Sequence, residues 1–397
     1  MKKVAFLSPN IDTFSNPTLI HLFEKLIKKG YRILFIGFDQ IFIPKYIMDK
    51  LDFMEMPFNF YKFRFSFWNV VKLIRQYYNL YKVLKVKNKI DTMICVDPMG
   101  LVIAGRISKL IRLRLIYASF EIFFKEEFTI PRKKVIKDLE LIYSKYADMI
   151  LIQDEGREKL LREVNNFRKD AIFKRIPVSP VPVNIVNNSH DIYAKLSIPA
   201  DKKIIIYSGT LEKWSGIFEI VSLFPEKWNN DYWLVIHSHK KLGDNSELMH
   251  KIKKLTDAKC NISFHNKPFY YYNEYYSFLS KCNIGIALYY PNDEDIFSGK
   301  NIEYIGLSSG KFSTYMMLGI PTITSSNPVF SRLNEKYNFG FTIKSLSELP
   351  NAVKSIDENY EKMKTGCKEV YAEILNPDKV LDEITEYIDK ETKTKTE

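Results

Sequence analysis

Short runs of unbroken apolar residues, alternating with amphipathic helices, constrain this chain more than any other feature. Lys3-Val4-Ala5-Phe6-Leu7 reads as a strand buried on both faces. Thr18 to Lys29 then places Leu19, Leu22, Phe23 and Leu26 on one helical face, and Gly30 stops the helix before a second strand, Tyr31 to Gly37. Strand, helix and strand in that order make a βαβ unit, so the two strands run parallel. Further strands are expected at Thr92–Asp97, Leu113–Tyr117 and Ala147–Ile152. Ile176-Pro177-Val178-Ser179-Pro180-Val181-Pro182-Val183 cannot be helical, because each proline removes a backbone donor. A linker is expected from there to about Asp201. The pattern then restarts at Lys203–Ser208 and continues through Tyr232–His237, Asn261–Phe264, Asn283–Leu288 and Thr322–Thr324.

This grammar predicts two α/β domains with parallel sheets, at 1–180 and 181–375, and a last amphipathic helix with a frayed tail at 376–397. A length of 397 residues with 46% hydrophobic content suits two domains that each bury a core. The four cysteines, at 95, 260, 282 and 367, are scattered and form no CxxC, so neither a zinc site nor a disulfide framework is expected. A reducing, cytoplasmic setting follows. The basic and apolar start of the chain is too short for a signal peptide, and no apolar stretch is long enough to span a membrane.

The net charge of +12 is uneven. Residues 1–180 hold 33 Lys/Arg against 19 Asp/Glu, whereas the remainder holds 26 against 28. Residues 57–89 hold eight basic residues, no acid and ten aromatics. A helix from Trp68 to about Asn88 is expected, with Lys72, Arg75, Asn79, Lys82 and Lys89 on one side and Val70, Ile74, Tyr77, Tyr81 and Leu84 on the other. Lys62, Arg64, Trp68, Lys72, Arg75 and Lys82 are the residues expected to meet an anionic membrane surface or a lipid-linked acceptor; a solvated basic face is the alternative. No recognisable nucleic-acid module accompanies the patch, so no nucleic-acid partner is expected.

Open parallel sheets bind ligands beyond the carboxyl ends of their strands. The loop after the first strand carries Asn10 and Asp12, which are expected on the acceptor side. It has no glycine, and without a GxGxxG fingerprint an NAD-dependent oxidoreductase is disfavoured. Glu121, just past the strand Leu113–Tyr117, is a candidate catalytic carboxylate. In the second half, Ser308-Ser309-Gly310-Lys311 leads into a helix, Phe312 to Leu318, which Gly319 and Pro321 end before an apolar strand. A helix N-terminus with small polar residues and a lysine is a candidate diphosphate site. No HExxH or GxSxG occurs, so neither a metalloprotease nor a serine hydrolase is supported, and no metal site is expected.

Ser309 to Ile323 resembles the donor-site segment of glycosyltransferase family 4 and its relatives: a small-residue loop, Lys311, a helix with Tyr315, then Gly319-Ile320-Pro321. Ile206-Tyr207-Ser208-Gly209-Thr210-Leu211 resembles the strand and turn that open that family's C-terminal domain. Tyr117-Ala118-Ser119-Phe120-Glu121 resembles a segment that often carries His-Glu. The resemblance implies the GT-B fold, two Rossmann-like domains facing a cleft, with a C-terminal helix crossing back toward the N-terminal domain. It implies transfer of a sugar from a nucleotide-sugar donor to a glycan or lipid-linked acceptor in cell-surface polysaccharide synthesis, with retention, without an obligatory metal or cofactor, at the inner face of the cell membrane. By it, Lys311 and Glu121 are catalytic. Gly209, Thr210, Lys213, His265, Asn266, Pro268, Asn301, Ser308, Ser309, Gly310 and Thr314 are donor-binding. Thr314 stands where the family often has a glutamate. A non-catalytic GT-B subunit that binds a membrane or a partner enzyme is the alternative.

Overall fold

The computed structural model describes residues 2–40, 43–56, 67–183, 191–223, 230–239, 246–269 and 271–390, the side chains of 67–73 and 131–133 excepted. The chain divides into two compact units. The first comprises Met1–Pro177, Asp293–Asn301 and Pro377–Glu397; the second comprises Val178–Asn292 and Ile302–Asn376.

The first unit is built on seven parallel strands: β1 (Lys2–Ser8), β2 (Tyr31–Gly37), β3 (Leu51–Glu55), β4 (Thr92–Val96), β5 (Arg114–Ala118), β6 (Met149–Ile152) and β7 (Ile172–Arg175). Their order across the sheet is β3-β2-β1-β4-β5-β6-β7. The order reverses direction between β1 and β4, so the loops after these strands form the switch point of the sheet. Strands β1, β4 and β6 are buried along nearly their whole length, which explains why they read as unbroken apolar runs. Asn16 caps the helix Pro17–Lys28 by accepting from the Thr18 and Leu19 N–H groups.

The second unit has six parallel strands: β8 (Lys203–Ser208), β9 (Tyr232–His237), β10 (Ile262–His265), β11 (Ile284–Ala287), β12 (Thr322–Ser325) and β13 (Gly340–Ile343). Their order is β10-β9-β8-β11-β12-β13, with the same switch between β8 and β11. The helix Gly310–Leu318 lies between β11 and β12 in sequence and buries Phe312, Tyr315 and Met316. Its Tyr315 ring occupies the space beside Gly285, where a Cβ would lie 2.5 Å from the ring. The Tyr315 hydroxyl accepts from Ser208 N–H at 3.0 Å, which pins the helix to the end of β8. Gly319 ends the helix at φ 68°, a left-handed conformation that glycine adopts without a Cβ penalty.

Three features differ from the sequence reading. The acidic stretch Asp293–Asn301, expected within the second domain, belongs to the first unit, where Ile296 packs with Met99, Phe123, Phe128 and Ile136. The helix expected to Asn88 is α-helical over Phe67–Tyr81 and then widens to a π-helix over Lys82–Lys87. Ile74, assigned to its core face, is 65% exposed, while Leu80 and Leu84 are buried. The last helix, by contrast, lies in the unit toward which it was expected to return: Asp378–Asp389 packs there against the helix Pro17–Lys28, with Leu381, Ile384 and Ile388 buried.

Candidate functional site

In the second unit the sequence places Lys311 at the second position of a nine-residue helix, so its first-turn N–H groups have no partner within the helix. Ser309 is the N-cap and takes the Phe312 N–H at 3.2 Å. Ser309 is itself held by the Tyr289 hydroxyl. The Lys311 ammonium donates to the Tyr207 hydroxyl at 3.2 Å and lies 4.3 Å from the Tyr207 ring centre, 4.8 Å from Tyr289 and 5.9 Å from Trp214. Trp214 and Tyr289 stack almost parallel, 7° apart. Three aromatic faces therefore surround one cation. No carboxylate pairs with Lys311 among the described residues, and burial brings its ammonium down to about 7. Gly209 borders the same place: a Cβ there would stand 3.3 Å from Lys311 Cε and 3.4 Å from its Nζ.

The other expected donor residues take varied positions. The Thr210 carbonyl accepts from the Tyr207 hydroxyl, which fixes the ring beside Lys311. Thr314 is buried and donates its hydroxyl to the Gly310 carbonyl at 2.8 Å, inside its own helix. Ser308 is half-buried, and its N–H returns to the Ile305 carbonyl. Lys213 is exposed and lines an open groove of about 520 Å³ with Glu219, Ser222, Glu247 and Lys251. His265 ends β10 and stacks on Phe269 at 5.3 Å, next to His237. Asn266 and Pro268 follow it, half-buried. Burial keeps His265 and His239 neutral, each pushed down to about 4. Among the described residues no group of three or more His, Cys, Asp or Glu is placed to hold a metal ion.

The first unit gathers a second set of residues at its switch point. Asp97 follows β4 directly and holds φ at 60°, left-handed backbone that a non-glycine residue rarely adopts. Its Oδ1 accepts from the Phe120 N–H at 2.8 Å and the Glu121 N–H at 2.9 Å, and its Oδ2 accepts from Asn10 Nδ2 at 2.6 Å. Asn10 and Glu121, far apart in sequence, are thus brought together. Burial, and then the neighbouring Asp97 charge, raises the Glu121 carboxyl to about 8; Asp12 adds to that repulsion. Burial raises Asp97 to about 6. Arg157, 1% exposed, lies beside the pair and donates to Gln153 Oε1 and the Phe120 carbonyl. Asn301, expected among the donor residues, lies in this unit instead, with its amide bonded to both backbone groups of Ile122.

Sequence reasoning missed Tyr207, Trp214 and Tyr289 because aromatics in and beside buried strands look like core. It missed Arg157 for want of any motif. Asp97 had a usable signal, a carboxylate at a strand end, the same signal that singled out Glu121. Of the basic patch, Arg75 and Lys82 are exposed, and Lys82 lies 4.7 Å from the Tyr78 ring centre. Lys62 and Arg64 lie outside the described residues, as do the side chains of Trp68 and Lys72. Among the described residues no helix is long and apolar enough to cross a membrane.

Residues 272–378, which include Lys311 and the whole of its helix, match the family model of the glucosyltransferase 3-like C-terminal domain. No curated protein matches the chain. Among solved structures, sucrose-phosphate synthase from Thermosynechococcus elongatus is similar at 14% identity and a TM-score of 0.70, covering 98% of each chain. Anabaena HepE in complex with UDP-glucose is similar at 13% identity and a TM-score of 0.69, covering 98% of this chain and 99% of that one. WaaG, a glycosyltransferase involved in lipopolysaccharide biosynthesis, is similar at 13% identity and a TM-score of 0.64, covering 96% and 99%. With two parallel Rossmann-like sheets of seven and six strands and these likenesses along nearly its whole length, the chain is a GT-B-fold protein.

Proposed function

We propose that this protein is a glycosyltransferase that moves a sugar from a nucleotide-sugar donor to a glycan or lipid-linked acceptor in cell-surface polysaccharide synthesis. The observation that carries the reading is Lys311: a half-buried ammonium ringed by aromatics, at a helix N-terminus, with no carboxylate to neutralise it among the described residues. A buried cation left without a counter-charge is costly unless a ligand supplies one. A diphosphate supplies it, and the unpaired N–H groups of the first helical turn add to the attraction. In the reaction the bond from the anomeric carbon to the donor phosphate oxygen breaks, a bond to the acceptor hydroxyl oxygen forms, and the proton of that hydroxyl passes to the departing diphosphate. Lys311 and the helix end stabilise the charge that gathers on the departing diphosphate. Glu121 serves the acceptor side.

HepE is complexed with UDP and with UDP-glucose, which makes uridine diphosphate sugars the first donors to try. Retention and independence of metal come with the family 4 resemblance; the anomeric configuration of the product by NMR and activity in chelator test them. Peripheral attachment to the inner face of the membrane is supported by the basic surface of the first unit. Substituting Lys311 by Ala is expected to lower turnover about 100- to 1,000-fold with an unchanged circular dichroism spectrum. Undiminished transfer by the variant would sink the assignment. Calorimetry of the wild type against a panel of nucleotide sugars separates this reading from a non-catalytic subunit, which would bind none of them.

A further inference from the structure

The loop Ser119–Ile122, which follows β5 in the first unit, has every backbone polar group bonded. The Ser119 N–H donates to the Leu151 carbonyl at 3.0 Å. Gln153 Nε2 donates to the Ser119 carbonyl at 2.8 Å, and Arg157 Nη2 donates to the Phe120 carbonyl at 2.6 Å. Asp97 Oδ1 takes the Phe120 and Glu121 N–H groups, and the Ser119 hydroxyl donates to the Glu121 carbonyl at 3.1 Å. Asn301 closes the loop: its Oδ1 accepts the Ile122 N–H at 2.8 Å and its Nδ2 donates to the Ile122 carbonyl at 2.7 Å. Surface loops ordinarily satisfy such groups with water. Here Asp97, Gln153, Arg157 and Asn301 do so, each less than a tenth exposed, although burying such polar groups is expensive. Within the loop, the Glu121 carboxyl alone among the side-chain polar groups makes no hydrogen bond to a described residue, and it stays part-exposed.

We propose that Asp97, Arg157 and Asn301 are positioning residues of the acceptor side, which hold the Ser119–Ile122 loop so that the Glu121 carboxyl meets the acceptor hydroxyl in one fixed orientation. The proposal rests on the transferase reading above and adds to it which residues aim Glu121. Asn301 is the sharpest member. It lies ten residues before Lys311 in sequence, yet its amide is spent on Ile122 in the first unit, so its substitution acts on acceptor use and not on donor affinity. Misplacing a reacting group by about 1 Å costs up to about 100-fold in rate, which sets the scale of the effect. The charged groups facing Glu121 are Asp97, Arg157, Asp12 and Asp295, with Asp154 beside Arg157. Removing the Asp97 charge relieves the carboxyl, so its titration reports on the arrangement without any substrate.

The test pairs kinetics with carbon-13 NMR of the side-chain carboxyls, the Glu121 signal being the one lost in Glu121→Gln. In the wild type the signal is expected to titrate near pH 8, and in Asp97→Asn to move down toward the ordinary carboxylate range. Asn301→Ala is expected to lower kcat with the acceptor about 100-fold, while the donor KM and calorimetric donor affinity stay within about twofold. Asn301→Asp keeps the acceptor for the Ile122 N–H, so it should fall between Ala and wild type, and it replaces the Ala variant if that one does not fold. A Glu121 signal that titrates near 4.5 in the wild type overturns the proposal. So does an Asn301 variant that loses donor affinity with acceptor turnover intact. A wild type that binds no nucleotide sugar sinks the transferase reading and with it the acceptor role. An ordinary Glu121 titration with donor binding intact sinks only the present inference.

Discussion

Lys311 exchanges its proton near neutrality because burial strips its ammonium of water and, among the described residues, no carboxylate replaces that water. A bound diphosphate favours the charged form, so the bound lysine has the higher pKa and binding takes up a proton. Donor affinity is therefore full below about pH 7 and falls as the pH rises above it, by up to about tenfold per unit until the pKa of the complex is reached. Calorimetry with a UDP-sugar, whose diphosphate does not titrate there, should show this slope together with a dependence of the heat on buffer ionisation. Lys311→Arg, charged throughout the range, should bind with no slope. A flat profile in the wild type would mean that another group neutralises the diphosphate. Lys311 and Ser309 were legible in the sequence because their roles are local: a helix start, its cap and its first turn are contiguous residues. The surroundings of Lys311 were not, since Tyr207, Trp214 and Tyr289 come from separate loops and strands. Asn301 entered the donor set only through the resemblance, as a stand-in for a glutamate, and its bonds to Ile122 in the first unit depend on a fold that neighbouring residues do not spell out.

At the level of elements, what the sequence conceals is the sheet edge. The strands expected from apolar runs all formed, and β2, β8 and β9 have the expected bounds. The three strands not anticipated, β3, β7 and β13, are all edge strands. β3 and β7 have no buried residue, and β13 is buried only at its two ends, so no apolar run announces them. The π-helix over Lys82–Lys87 misled in the same way, because a regular 3.6-residue period does not describe a segment whose turns widen. Gly366 gives this scale its prediction. It lies in the helix Tyr360–Val370, where alanine would gain about 1 kcal/mol of helix propensity. A Cβ there would stand 2.0 Å from the Tyr337 carbonyl oxygen, a backbone atom that cannot rotate away. The steric cost of about 1–3 kcal/mol outweighs the gain, and Gly366→Ala should lower the denaturation midpoint. Thr365→Ala, at the exposed neighbouring position, should leave it unchanged or raise it slightly. Equal midpoints for the two variants would show that the helices separate freely there.

Across the whole molecule, the division of charge takes a different meaning once the path of the chain is known. Segments 293–301 and 377–390 return to the first unit with eight acidic residues against three basic ones. Asp389 pairs with Lys2 and Lys29, Asp378 and Asp382 pair with Lys25, and Glu383 pairs with Lys174. Part of the basic excess of residues 1–180 is thus answered within the unit and needs no outside partner. The rest is concentrated. Arg75, Lys82, Lys85 and Lys87 make no ion pair among the described residues, and Ile74, Tyr78 and Val86 beside them are 65%, 55% and 63% exposed. Exposed apolar side chains interleaved with unpaired cations fit an anionic lipid surface, where each cation contributes about 1 kcal/mol. Reversing Arg75, Lys82 and Lys85 to Glu should therefore lower partition onto vesicles containing anionic lipid by at least about 100-fold, with no effect on neutral vesicles, which bind weakly throughout. Lys25→Ala removes a cation that Asp378 and Asp382 already neutralise, so it should leave vesicle binding as it was. Equal losses in the two variants would mean that net charge, rather than this face of the first unit, governs attachment.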